Sequence, residues 1–301
     1  TNDRMLQYNC LPHSIFTDTL IAGTRSLHVN KCSQIFATSY GWLRSFGLCS
    51  KSEAHEALSL LFKRDGVPPK MIMDGSKEQT LGEFCCKLRE AVCHQQQIEP
   101  HSPWMNAAEC CIRELKRGSM RKMICNGSRK CLWDNSLELE ALICLNTCLD
   151  QFALEGMAPE EKLKGCMYDI SNLCEFEWYA WVMFNNSPST FPKVDFQLGH
   201  WLGPAADVGL AMMYKILKAN GEVVCRSNVC HLTPNELDSD VHQEERREFD
   251  AGIEEKLGKA ATRHDFDPEN LTPDHDYYKD GIEGMPDAPP EELQPTPKFN
   301  D

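Results

Sequence analysis

The chain has 301 residues, 42% of them hydrophobic, and carries a net charge of −14. That is enough apolar sequence for one medium domain and a smaller one, yet no apolar run approaches the roughly 18–20 residues that span a bilayer. Thr1 to Leu11 shows neither a signal-peptide nor a transit-segment pattern and the first residue is not Met, so a soluble, intracellular fragment or one product of a longer polyprotein is expected.

The first 155 residues alternate strand and helix patterns. Ser14-Ile15-Phe16-Thr17 is a short apolar run leading into Asp18, and strand-like stretches follow at Cys32–Ser39 and Trp42–Leu48. Ser50 to Glu53 has the form of a capping box, after which Ala54, Ala57, Leu58, Leu61 and Phe62 recur at helical spacing. Gly66-Val67-Pro68-Pro69 breaks that helix, and Met71-Ile72-Met73 is a buried-strand triplet ending at Asp74. A second capping-box pattern, Thr80 to Glu83, opens a helix with Leu81, Phe84, Cys85, Leu88 and Val92 on one face; a short strand is predicted over His94–Ile98. Pro103 starts a helix whose inner stripe is Ala108, Cys111, Ile112 and Leu115, and another runs from about Leu137 to Phe152. Three strands first, then strands and helices in alternation, predict a mixed sheet with helices on its faces.

Farther along, Trp178–Phe184 and Leu198–Pro204 are strand-like, and Asn220-Gly221 marks a hairpin turn between Met213–Lys218 and Glu222–Val229. A small, barrel-like β-module is expected over about Asp169 to Pro234. From Asn235 to Asp301 there are 20 acidic and 7 basic residues, net −13, against 25 and 24, net −1, in the first 234. That acidic, proline-rich tail is expected to be disordered from residue 236 onward, a solvated spacer. The acidity therefore belongs to the tail and leaves the rest nearly neutral. The 16 cysteines include no Cys-x-x-Cys and no His/Cys spacing of zinc-finger type, so they are expected to be reduced small hydrophobes without chemistry.

Three carboxylates fall where strands end and helices begin: Asp18 after the first strand, Asp74 after the fourth, Glu109 in the first turns of the helix opened by Pro103. An Asp after a strand is more often a turn former. Three convergent carboxylates, however, are the hard oxygen donors that a pair of Mg²⁺ or Mn²⁺ ions requires, and such a pair suits phosphodiester chemistry. Arg113 and Lys116, at i+4 and i+7 from Glu109, share its helix face, and Ile112 to Lys130 holds seven basic residues against one acidic. A solvated basic face accounts for that strip alone; beside a carboxylate site it also suits a phosphate backbone.

The run Glu99-Pro100-His101-Ser102-Pro103-Trp104-Met105-Asn106-Ala107-Ala108-Glu109, followed by Ile112-Arg113-Glu114-Leu115-Lys116-Arg117, resembles the region of LTR-retrotransposon and retroviral integrases that carries the catalytic Glu. Pro103, Asn106 and Glu109 match its Pro-x-x-Asn-x-x-Glu core, 34 residues separate Asp74 from Glu109 as in that family, and Asp18 stands where the first catalytic Asp belongs. The resemblance implies an RNase H-like fold over residues 13–155, preceded by a terminal segment (1–12). It also implies a copia-like polyprotein connecting region (156–235) ahead of the 236–301 linker. By the same resemblance Asp18, Asp74 and Glu109 are catalytic and hold two Mg²⁺ or Mn²⁺ ions, while Asn106, Arg113, Lys116 and Arg117 contact DNA. The activity implied is 3′-end cleavage and DNA strand transfer, between element ends and target DNA, by a homo-oligomer in the nucleus or a cytoplasmic particle, with no membrane or small-molecule partner. Two departures stand out: Ala107 occupies a position where the family often has Gly, and the 17 residues before Asp18 hold no His-and-Cys zinc domain. A catalytically dead remnant that only binds nucleic acid, and an RNase H-type nuclease, are the alternatives.

Overall fold

The computed structural model describes residues 9–76, 79, 82–99, 106–147, 154, 156–167, 169–185, 196–206, 208 and 212–258. These all lie in one unit of the chain, Thr1–Asp265.

The first sheet has five strands in the order β3-β2-β1-β4-β5, namely β1 (Ile15–Ile21), β2 (Cys32–Ala37), β3 (Leu43–Leu48), β4 (Lys70–Met73) and β5 (His94–Gln97). The first three are antiparallel meanders, while β4 and β5 run parallel to β1. Parallel addition requires crossover connections, and helices α1 (Ala54–Arg64) and α2 (Gly82–Glu90) supply them. Every residue of β2 is buried, because both faces of the sheet are covered. Phe36 turns toward α1 and α2 with Leu58, Leu61 and Phe84; its neighbour Ile35 turns the other way, toward α3 (Ala107–Cys125) and α4 (Trp133–Asn146) with Ala108, Ile112 and Leu115. This mixed five-stranded sheet with flanking helices is consistent with the RNase H-like architecture implied by the sequence resemblance.

Local chemistry differs from the sequence pattern in places. Ser50 makes no side-chain cap; Glu53 accepts instead from the Cys49 amide at 2.8 Å, and a 3₁₀ turn over Lys51–Glu53 leads into α1. α4 begins a turn earlier than its apolar spacing predicts, because an uncapped 3₁₀ turn, Lys130–Leu132, feeds directly into it. It packs between β3 and the second sheet, which buries Leu137, Leu139, Ala141, Leu142 and Leu145 around most of its circumference. Val92, expected on the inner face of α2, is 78% exposed, because the helix ends at Glu90. The Thr80 cap, Leu81, Pro103 and the last turn expected of the Leu137–Phe152 helix, from residue 148 on, lie outside the described residues.

Helices α5 (Pro159–Lys164) and α6 (Ser171–Cys174) precede the second sheet. Glu160 of α5 ties it to the first: its carboxylate accepts from the Trp42 indole at 2.6 Å and from Arg44 at 3.0 Å, and Arg44 also pairs with Asp65. All three ionic side chains are buried, and the second carboxylate is balanced by Lys164, which reaches Glu160 at 2.6 Å and Asp65 at 3.2 Å, as burial of charge requires. The second sheet has the order β10-β6-β7-β8-β9: β6 (Trp181–Asn185), β7 (Phe196–Pro204), β8 (Tyr214–Leu217), β9 (Val223–Arg226) and β10 (Val229–His231). The β8–β9 hairpin turns at Asn220–Gly221, with Gly221 at φ +78°. The expected barrel does not close: among the described residues β9 and β10 remain unpaired edges, so the module is an open antiparallel sheet. No helix of the described residues is long and apolar enough to cross a membrane.

The expectation of disorder from residue 236 is overturned for its first part. Thr233 and Glu236 form a capping box that starts α7 (Pro234–Asp238), and α8 (Asp240–Leu257) follows. α8 is mostly charged, but Phe249 and Ile253, one turn apart, are buried in the shared core, where Phe249 meets Trp181 and His200 edge-on. Arg129, with no exposed side-chain surface, reaches α8 and pairs with Asp250 at 2.9 Å. Charge composition hid this helix because its apolar stripe is only two or three residues long and its counter-ion is 121 residues upstream. Residues beyond 258 lie outside the described set. Phe249→Ala should lower stability by about 3–5 kcal/mol in denaturant unfolding, as for other buried aromatic truncations; an unchanged midpoint would return α8 to the solvated-spacer reading.

Candidate active site

Strand register builds the centre of the site. β1 and β4 are parallel and their last paired residues are Thr17 and Met73. One step further along stand Asp18 and Asp74, on neighbouring strands about 4.8 Å apart. Asp74 follows the end of β4, but Asp18, expected to close the first strand, lies inside β1, where the pairing with β2 continues to Ile21. Asp18 shares its side of β1 with Phe16 and Leu20, which face α3. Asp74 is exposed at the mouth of the loop to α2, with Oδ1 accepting from the Ser76 amide at 2.9 Å. Ala108, Ile112 and Leu115 seat α3 against β1 and β2, which brings Glu109, half-buried in the first turn, within electrostatic reach of both aspartates.

Electrostatics reports that the three carboxylates share one locality. Burial raises the Asp18 carboxyl above its ordinary range; the Thr19 amide, bonded at 2.6 Å, opposes this, Asp74 raises it further, and Lys51 and Lys116 pull it down. Burial also raises Glu109, and both Asp18 and Asp74 push it the same way, with Arg113 as the opposing cation. Arg113, Lys116 and Arg117 are all exposed on α3, and two of them are close enough to act on the carboxylates. The site thus has an excess of negative charge and a cationic border.

Asn106 does not join that border. It is 2% exposed, and its side-chain oxygen accepts from the Ala108 amide at 3.1 Å as the N-cap of α3. As a buried cap, Asn106 orients the helix that carries Glu109. Sequence reasoning also missed Gln79, fully buried beside the site with its amide 3.3 Å from the Thr19 hydroxyl. A lone Gln in a polar loop gives no signal of its own.

The donor set is oxygen only, half-exposed and mutually repelling, which is the chemistry that a hard divalent cation suits. Among the described residues, however, no group of three or more His, Cys, Asp and Glu side chains is drawn together closely enough to hold a metal ion. The donors fit by type and locality, with an arrangement more open than a single three-ligand sphere.

Elsewhere the chemistry is quiet. A cavity of about 140 Å³ is lined by His28, Asp134, Glu138 and Lys215, whose charges are paired within it. A groove of about 460 Å³ lies between the second sheet and α8. Neither touches the carboxylates. All fifteen described cysteines are free, and burial pushes the Cys93 and Cys111 thiols up to about 12 and those of Cys131 and Cys144 to about 11, away from the reactive thiolate.

No family model matches the chain, and no curated protein matches it. Among solved structures the chain is similar to the crystal structure of the catalytic core domain of BIV integrase, at 15% identity and a TM-score of 0.38, over 50% of this chain and 93% of that one.

The raised carboxyls give a signed stability prediction. A group that binds its proton more tightly when folded adds stability below its unfolded pKa, about 4, and loses it as pH rises through the higher folded value. At pH 7 Asp18 is therefore a net cost to the fold, and Asp18→Asn should raise the thermal midpoint by a few degrees. That gain should shrink on acidification and vanish below about pH 4. Melting curves of both proteins across pH 3–8 check it.

Proposed function

We propose that this chain is a divalent-cation-dependent polynucleotidyl transferase of the retroelement integrase kind, with Asp18, Asp74 and Glu109 as its catalytic carboxylates. The observation that carries this reading is the electrostatic proximity of the three: beyond the effect of burial, Asp74 adds to the raising of the Asp18 carboxyl, and Asp18 and Asp74 both add to that of Glu109. A protein gains nothing in stability from such an arrangement, and carboxylates perturbed by burial and by neighbouring like charges are candidates for a functional site. The sequence resemblance around Asn106 and Glu109 adds the reaction class.

In this reading the carboxylates bind Mg²⁺ or Mn²⁺ and orient the reacting phosphodiester. Bound cations would supply Lewis-acid activation of a nucleophilic oxygen and stabilisation of the leaving oxygen. Arg113, Lys116 and Arg117, exposed along α3, draw the phosphate backbone of DNA to the site and hold it beside Glu109. Asn106 fixes the start of α3 and hence the reach of Glu109. Water is the nucleophile in the first cut near a DNA 3′ end; the freed 3′-hydroxyl is the nucleophile in the joining step. No protein side chain forms a covalent intermediate.

The test is a strand-transfer assay with the full chain, short duplexes and Mg²⁺ or Mn²⁺. Joined products longer than the input support the proposal. Degradation of RNA–DNA hybrids without joining would make the chain an RNase H-type nuclease, and DNA binding without either would make it a dead remnant. Glu109→Gln should abolish joining while DNA affinity stays unchanged; equal loss of both would make Glu109 structural. Arg113→Ala and Lys116→Ala should weaken DNA binding across sequences, each lowering the slope of log affinity against log salt by about 1.

A further inference from the structure

Asp18 and Asp74 are joined by an unbroken run of hydrogen bonds that passes through one buried side chain. Asp74 Oδ1 accepts from the Ser76 amide at 2.9 Å, and the Ser76 carbonyl accepts from the Gln79 amide at 3.2 Å. The Gln79 side chain then crosses to β1, donating from Nε2 to the Thr19 hydroxyl at 3.3 Å, and the Thr19 amide donates to Asp18 Oδ1 at 2.6 Å.

The link is anchored from below. The Thr19 hydroxyl gives its own hydrogen to Gln34 Oε1 at 2.9 Å, so it can meet Gln79 only as an acceptor. Gln34 in turn donates to the Thr17 hydroxyl at 2.6 Å, and Thr17 donates to the Ile35 carbonyl at 2.9 Å. Donor direction is consistent along the whole run, from Gln79 down to the middle of β2. Thr17, Gln34 and Gln79 are each fully buried.

Gln79 carries a cost for this position. Among the described residues its buried Oε1 has no hydrogen-bond partner, where an apolar side chain of similar size would leave nothing unsatisfied. What the residue contributes in return is the cross-link: it is the one side chain in this path that ties the segment after Asp74 to the strand that carries Asp18. The Cys85 thiol, 3.6 Å from the Gln79 carbonyl, fastens the same segment to α2.

We propose that Gln79 is a positioning residue that sets the separation of Asp18 and Asp74 through Thr19, and so tunes divalent-cation binding at the carboxylate site. The inference rests on the proposed function, and it gives Gln79 no contact with substrate or cation. Partners of this outer kind, hydrogen-bonded to the ligands' own supports, commonly alter cation affinity by 10–100-fold when removed.

The experiment is calorimetric titration of Mn²⁺ alone into the full chain, with thermal melting of each protein alongside. Gln79→Leu keeps the volume and removes the donor, and should raise the Mn²⁺ dissociation constant roughly tenfold. Thr19→Val breaks the same bond from the other end and should do likewise, Thr19→Ser should keep wild-type affinity, and the Gln79→Leu/Thr19→Val pair should be no worse than the weaker single variant. Should Gln79→Leu fail to fold, the Thr19 pair reads the same link. Wild-type affinity in Gln79→Leu or Thr19→Val, or losses that add in the double variant, would overturn the proposal and reduce Gln79 to packing. Wild-type protein that takes up no Mn²⁺, or takes it up equally after Asp18→Asn, would instead bring down the carboxylate-site reading itself.

Discussion

Like charges do not gather unless a framework forces them to. Asp18 and Asp74 stand side by side because β1 and β4 are parallel and in a register that ends at Thr17 and Met73; Glu109 joins them because α3 is seated by Ala108, Ile112 and Leu115. Each of those supports is apolar and buried, and none concerns charge. The repulsion is therefore resisted by hydrophobic packing of the surrounding sheet and helix, and it adds to burial, the larger cause, in raising the carboxyls of Asp18 and Glu109. A parallel pair of strands is a rigid way to hold such a contact, since a slip of one residue would invert every side chain of β1 between two covered faces.

The same logic explains why so much of the chain stands behind the site. α3 bears Glu109 at one end and runs at the other into Ser128 and Arg129. Ser128 is bonded by the Trp178 indole at 3.1 Å, and Arg129 is held by Asp250 of α8. The second sheet and the C-terminal helix thus grip the far end of the helix whose near end carries the third carboxylate. α4, packed between β3 and β7, makes the two sheets share one core. A buried Arg without its carboxylate would be costly, so α8 is bound to this arrangement by charge as well as by Phe249 and Ile253.

The strands were legible in the sequence because strands that are buried on both faces write themselves as continuous apolar runs. Met71-Ile72-Met73 gave the end of β4 before Asp74, whereas Ile15-Phe16 gave only the start of β1, which runs on past Asp18 to Ile21 because β2 pairs with it that far. Glu109 was legible from its spacing to Pro103 and Asn106 and from the apolar stripe beneath it. What the sequence pattern missed has two causes: local competition for a hydrogen bond, and partners far away in the chain. Ser50 has the spelling of a capping box, but Glu53 reaches Cys49 instead. Asn106 belongs to a motif that suggests a DNA contact, and the backbone amide of Ala108 claims its side chain first. α8 has a disordered region's composition, and only Arg129 and the aromatic cluster of Trp181 and His200 make it a helix of the core. Gln79 meets a partner 60 residues away, which no local pattern encodes.

Charge finally links the two halves of the candidate site. Glu109 lies in the first turn of α3, where the helix dipole favours a carboxylate, yet its carboxyl is still raised. Burial and two aspartates outweigh both the dipole and Arg113. A nucleic-acid phosphate approaching this point would meet the same excess of negative charge. The cations of α3 stand along its exposed face, with Arg113 and Lys116 already offsetting part of the charge of the carboxylates. They can hold a backbone alongside the site but cannot neutralise its centre, because their reach is spent on Glu109 and Asp18. In the proposed function the remaining charge is the part that divalent cations offset, which makes cation binding a condition for the phosphate to enter at all, before it is a condition for the chemistry.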